Sequence, residues 1–136
     1  QKMENIAEIV KLSLVAISAV SLMVSGLGVM TVMSASVTER THEIGIKKAV
    51  GAKNAAILGE FIAEGCLLSF YGAILGLLAG QGITWIACQL LGLEFQTDPT
   101  LLTAGAVMTV LLGTVFSAKP ALRAAQLDPV KALASE

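Results

Sequence analysis

Three long runs without a charged residue organise the chain: Leu12 to Val37, Gly65 to Leu93, and Pro99 to Ala118. Each reaches or exceeds the roughly 20 apolar residues that a helix needs to cross the hydrocarbon core of a bilayer. The pattern predicts three membrane-spanning helices, over about 12–37, 61–92 and 99–118. Ahead of the first run, residues 1–11 place Met3, Ile6, Ile9 and Val10 near one helical face, which predicts an amphipathic extension continuous with the first span. Asp98 followed by Pro99 supplies an N-cap and a first-turn proline for the third.

Charge gathers where the runs break. Residues 38–51, Thr-Glu-Arg-Thr-His-Glu-Ile-Gly-Ile-Lys-Lys-Ala-Val-Gly, hold both signs in a short space. Glu43 and Lys47 stand four apart in the favourable order, and Arg40 and Glu43 three apart, so this segment predicts a short solvated helix. Gly51 is placed to end it and Asn54 to cap the next helix. Ile44, Ile46, Ala49 and Val50 alternate with the charges and offer a partner apolar groups to bury.

Basic residues set the orientation, because cytoplasmic loops carry the excess of Lys and Arg. Arg40, Lys47, Lys48 and Lys53 fall in the 38–53 loop, and Lys119, Arg123 and Lys131 in the 119–136 tail; only Lys2 and Lys11 of the nine lie elsewhere. The loop between the second and third spans has Glu94 and Asp98 instead. The 38–53 loop and the tail are therefore expected in the cytoplasm and the N-terminal extension outside. A first span running inward from outside implies that an upstream span is missing, as in a fragment. In the tail, Asp128 and Pro129 predict a capped terminal helix, and Lys119 and Arg123 reach towards anionic headgroups.

Composition narrows the function classes. The chain is 136 residues long, 55% hydrophobic and 14% charged, with a mean hydropathy of +0.80. Soluble domains carry roughly a quarter charged residues. A net charge of −1 and four Phe give neither the field nor the stacking platform of a nucleic-acid binder. His42 is the sole histidine, and Cys66 and Cys88 are far apart in sequence, so no metal site, Ser-His-Asp triad or disulfide framework is expected. No phosphate-binding glycine loop is present either, and enzymatic chemistry is not expected in this chain.

Small residues mark candidate packing faces. Gly72, Gly76 and Gly80 repeat a GxxxG spacing in the second span, Ser18, Ser21 and Ser25 form a strip in the first, and Gly105 and Gly113 a looser one in the third. Such faces let helices approach closely, within a chain or between subunits. Glu60 and Glu64 lie one turn apart at the entrance to the second span, at headgroup level, where solvation is cheap. Tyr71 and Trp85 fit either an interfacial belt or bundle packing.

Two stretches carry a family resemblance. Residues 37–52, Val-Thr-Glu-Arg-Thr-His-Glu-Ile-Gly-Ile-Lys-Lys-Ala-Val-Gly-Ala, and residues 120–133, Pro-Ala-Leu-Arg-Ala-Ala-Gln-Leu-Asp-Pro-Val-Lys-Ala-Leu, resemble the C-terminal permease module of MacB/FtsX-like ABC transporters. The resemblance implies an all-α membrane protein of the bacterial cytoplasmic membrane, supplying spans two to four of a four-span permease and lacking the first span and the outer domain. It implies a cytoplasmic ABC ATPase as partner, a second permease as homodimer or heterodimer mate, and an extracytoplasmic partner reached through the outer domain. ATP and Mg would be bound by the ATPase, with no cofactor in this chain. The coupling helix of the family falls on Glu39, Arg40, Glu43, Ile44, Gly45, Ile46, Lys47 and Lys48, ended by Gly51. Its expected work is mechanotransmission, with export or extraction of a substrate as the outcome. A cell-division-type regulatory permease and a small self-associating structural membrane protein are the alternatives.

Overall fold

The computed structural model describes residues 2–134; Gln1 and the last two residues of the 119–136 tail lie outside the described residues. All its regular structure is helical: α1 (Lys2–Glu39), α2 (Thr41–Ala49), α3 (Asn54–Leu91), α4 (Pro99–Ala125) and α5 (Pro129–Ala134). α1, α3 and α4 are each long and apolar enough to cross a membrane. The predicted all-α architecture with three spanning helices is the one observed.

Helix boundaries reflect local chemistry. α1 is unbroken from the amphipathic extension through the first span, because nothing between Lys2 and Glu39 terminates it. Its hydroxyls stay satisfied within the helix: Ser18, Ser21 and Ser25 donate to Leu14, Ile17 and Ser21 carbonyls at 2.8–2.9 Å. Each hydroxyl thereby avoids the cost of an unpaired polar group in lipid. α3 starts at Asn54, about two turns before the expected entry near Phe61, and Lys53 rather than Asn54 takes the N-cap position, with no side-chain cap. Extended backbone at Lys53 begins the helix one residue earlier than the sequence suggested. α4 overruns the expected end at 118 and continues through Pro120 to Ala125. Pro120 cannot donate to the Phe116 carbonyl, and the helix tolerates this because the surrounding packing holds it; Pro120 is buried. At its start, Asp98 accepts from the Thr100 N–H at 2.9 Å, as its spacing predicted.

α4 is the central helix, packing on both α3 and α1, whereas α1 and α3 barely touch. The antiparallel α3–α4 pairing rests on small residues. A Cβ added at Gly65 would collide with Ser117, and one added at Gly113 would collide with Ser69. Both helices carry the same order at four-residue spacing, Gly65-Ser69-Ala73 and Gly113-Ser117-Ala121, so each glycine receives the other helix's serine. All six residues are buried. Gly26 of α1 plays a comparable part against the Phe116 ring.

The expected glycine face behaves differently. At Gly72, Gly76, Gly80 and Gly105 an added Cβ would meet nothing within 4 Å. Gly72, Gly76 and Gly80 follow Gly65, Ser69 and Ala73 at seven-residue spacing, on the same side of α3 but nearer its C-terminal end, where the surface beside the glycines is left open. Residues 2–21 of α1 are likewise exposed throughout, Ser18 and Ser21 included, and Ser25 is exposed as well. Tyr71 is 63% and Trp85 53% exposed, so neither packs the bundle.

One end of the bundle holds a compact core. Met33, Val37, Ile44, Ile57, Phe61, Ala121 and Ala124 cluster there, drawn from α1, α2, α3 and α4. We call it the charged end, since the 38–53 and 119–134 segments lie at it. Replacing Gly113 by Leu is expected to force α3 and α4 apart, at a cost of about 1–3 kcal/mol for overpacking. Gly76→Leu is expected to leave the isolated chain intact. Thermal midpoint and size-exclusion profile of the purified protein check both.

Candidate functional site

Arg40 makes the corner between α1 and α2. Its backbone sits at φ −97° and ψ 13°, outside helical values, so the chain changes direction here. The corner remains hydrogen-bonded: Arg40 N–H donates to Ser36, Ile44 N–H to Arg40, and the Thr41 hydroxyl to the Val37 and Thr38 carbonyls. Arg40 is thus hydrogen-bonded to both helices across the bend.

The far end of α2 is closed by a Schellman turn. Gly51 N–H donates to Lys48 and Ala52 N–H to Lys47, both at 3.0 Å, around Gly51 at φ 99°. That left-handed conformation suits glycine alone, which explains Gly51 at this position. α3 then starts two residues later.

Charged side chains fasten α2 to the base of α3. Arg40 reaches Glu43 at 3.3 Å, Glu64 at 3.5 Å and Glu60 at 3.9 Å, and its guanidinium lies 5.9 Å from the Phe61 ring centroid. Lys47 meets both oxygens of Glu60 at 2.8 Å. Each pair is partly solvated and would contribute little alone, on the order of 0–1 kcal/mol. Together they form a network in which one guanidinium and one ammonium separate three carboxylates. Glu60 and Glu64, expected at headgroup level, are thus tied to α2 and to the corner that precedes it.

The remaining residues of α2 divide by face. Ile44 is 3% exposed within the core, and Gly45 is buried on the same side. Ile44 therefore spends its apolar surface inside the chain, where its place in the sequence had suggested a partner contact. Lys48 donates to the main-chain carbonyls of Ala125 and Leu127, at the end of α4. His42, Glu43, Ile46, Ala49 and Val50 are exposed, and their spacing puts them on one face of α2, with Ile46 48% and Val50 84% exposed. Glu39 is exposed at the end of α1. α5 packs beside α2, and Asp128 accepts from the Val130 N–H at 3.0 Å as the predicted cap.

The arrangement presents a surface. Among the described residues no group of His, Cys, Asp or Glu could hold a metal ion, and the two cysteines are unpaired. What the site offers is a short, fixed helix with an outward mixed polar and apolar stripe.

Known proteins share this architecture's sequence. Residues 15–129 match the FtsX-like permease C-terminal family. A macrolide export ATP-binding/permease protein MacB from Nitrobacter winogradskyi is 42% identical over 98% of this chain and 21% of its own length. A MacB protein from Acinetobacter baylyi is 42% identical over the whole chain and 21% of its own length, and an uncharacterized ABC transporter permease, YvrN of Bacillus subtilis, is 40% identical over the whole chain and 33% of its own. The chain belongs to the FtsX-like permease family of ABC transporters. It spans about a fifth to a third of the length of these relatives.

Sequence alone identified α2, its closing glycine and its charges, but not what the charges do. The signal missed was the pairing of Arg40 and Lys47 with Glu60 and Glu64, one turn apart in the next helix. Arg40→Leu is expected to lower the thermal midpoint by the equivalent of about 1 kcal/mol, in line with partly exposed networks. Adding Glu64→Gln is expected to recover part of the loss by removing an uncompensated carboxylate, and a double-mutant melting series reads both effects.

Proposed function

We propose that this chain is the membrane-embedded coupling module of an ABC transporter, with α2 as the contact for a cytoplasmic ABC ATPase. The observation that carries the reading is the two-faced character of α2: its inner face is fastened to the spanning helices, while His42, Glu43, Ile46 and Val50 project from the other face. A partner moving against that face displaces α1 and α3 directly, since both are joined to α2 through short, hydrogen-bonded turns. Charged groups at its edge, Glu39, Glu43 and Lys47, fix register on the partner, and Ile46 and Val50 supply the area to bury.

In this reading the charged end faces the cytoplasm of a bacterial cell, which the excess of Lys and Arg in the 38–53 loop and the tail supports. ATP and Mg are bound by the ATPase, in another domain or another subunit; the relatives named ATP-binding/permease proteins carry both functions under one name. Work done on α2 travels along the spanning helices to an extracytoplasmic domain, as mechanotransmission for export or extraction of a substrate. A second permease completes the assembly, and the open face at Gly72, Gly76 and Gly80 is a suitable surface for it, since small residues allow close approach in lipid.

The test uses the full-length permease with its ATPase. Ile46→Asp and Val50→Asp are expected to weaken association by roughly tenfold each, as for a contact worth about 1–2 kcal/mol. Glu94→Lys, at the opposite end of the bundle, is expected to change nothing. If the ATPase binds both stripe variants as it binds the wild type, with unaltered activity, α2 is not its contact.

A further inference from the structure

Lys48 stands apart from the other charges of α2. Among the described residues its ammonium meets no carboxylate; it donates to two main-chain carbonyls, Ala125 at 2.6 Å and Leu127 at 2.7 Å. These belong to a stretch of chain 77 and 79 residues away, the end of α4 and the turn into α5.

Backbone donors run out at this point of the chain. At the end of α4 the Gln126 N–H serves Leu122 and Arg123, and the Leu127 N–H serves Ala124. Ala125 is next in the series, and its carbonyl is met by Lys48. An ammonium at this place also sits at the negative end of the helix dipole. Lys48 thus completes the C-terminus of α4 from another element.

The consequence reaches α5. α5 is six residues long, too short to persist on its own propensity. It packs on α2, burying Ala132 to 1% exposure, and it continues directly from the turn that Lys48 holds. α1 and α3 are joined to α2 through the chain itself, whereas the α4–α5 turn, distant in sequence, is bonded to α2 by the Lys48 side chain. Of the hydrogen bonds described, those of Lys48 are the ones that bind this turn to α2.

We propose that Lys48 is a positioning residue that locks the α4–α5 turn onto α2, so that α2 and α5 move as a single ATPase-facing body. The inference rests on the reading of α2 as the ATPase contact, yet it assigns Lys48 to the interior of that body and not to the partner's surface. Loss of Lys48 should therefore leave the outward stripe intact, and with it ATPase binding, but impair the transmission of movement after binding.

The experiment uses the full-length permease with its ATPase in lipid nanodiscs, with Cys66 and Cys88 replaced by Ser and spin labels introduced at Lys53→Cys, just past the turn that closes α2, and at Gln126→Cys, both exposed positions outside the ATPase-facing stripe. With Lys48 present, pulsed dipolar spectroscopy should give one narrow distance distribution, the same without nucleotide and with ATP trapped. Lys48→Met should broaden it in both states and abolish the acceleration of ATP hydrolysis that the permease confers on its ATPase, while the ATPase's own basal hydrolysis and its association with the permease persist. Lys48→Arg, which keeps the charged donors, should restore the narrow distribution and the stimulation. A narrow distribution in Lys48→Met, or a broad one with wild-type stimulation, overturns the proposal. Loss of ATPase association in Lys48→Met also overturns it, by placing Lys48 at the contact itself. Should the Met variant not purify as a monodisperse protein, Lys48→Gln carries the same comparison. Failure of the underlying reading shows separately, as unchanged ATPase binding by Ile46→Asp.

Discussion

Everything at the charged end depends on how closely α3 and α4 approach. In lipid no hydrophobic force drives two apolar helices together, and association relies on packing that the lipid tails cannot match. Gly65 against Ser117 and Ser69 against Gly113 provide it: each serine occupies the space that a Cβ would take on the facing helix. This antiparallel register brings Ile57 and Phe61 of α3 into one cluster with Ala121 and Ala124 of α4, with Met33 and Val37 of α1 joining them. The result is a floor of buried side chains at one end of an otherwise open bundle.

α2 is laid on that floor and fastened by unlike devices. Ile44 enters the cluster, Arg40 and Lys47 engage the acids of α3, and Lys48 closes the end of α4. Each polar contact is modest by itself, because the groups are partly solvated. Their value is geometric: contacts to different helices remove different freedoms of α2. A helix held in this way displaces its neighbours when pushed, whereas a loop of the same composition would absorb the push.

Much of this was readable in the sequence. Charge-free runs marked the three spanning helices, and Asp98, Gly51 and Asp128 marked helix ends by local backbone chemistry that needs no tertiary partner. Arg40, Lys47 and Lys48 were recognisable as concentrated charge, and their family pattern was recognisable too. Their targets were not, because pairing with Glu60, Glu64 and the Ala125 carbonyl depends on which faces of α2, α3 and α4 meet. The same limit applies to Gly72, Gly76 and Gly80, which are open within this chain. Their spacing is as good as that of Gly65, Ser69 and Ala73, on the same side of α3, and a single helix cannot say at which height along it a neighbour comes close. The repeat of Gly-Ser-Ala order in both α3 and α4 was the available clue. It identifies a matched pair where GxxxG identifies only a permissive surface.

Coupling through α2 requires that α2 be a fixed body. Hydrogen–deuterium exchange on the full-length transporter, without nucleotide and with ATP trapped, measures this directly at the amides of residues 42–50 and of the base of α3, residues 57–65. A fixed α2 predicts strong protection of both segments in both states, changing together where they change at all. Rapid exchange across 42–50 beside a protected α3, in either state, would show α2 to be a flexible loop and contradict the coupling role.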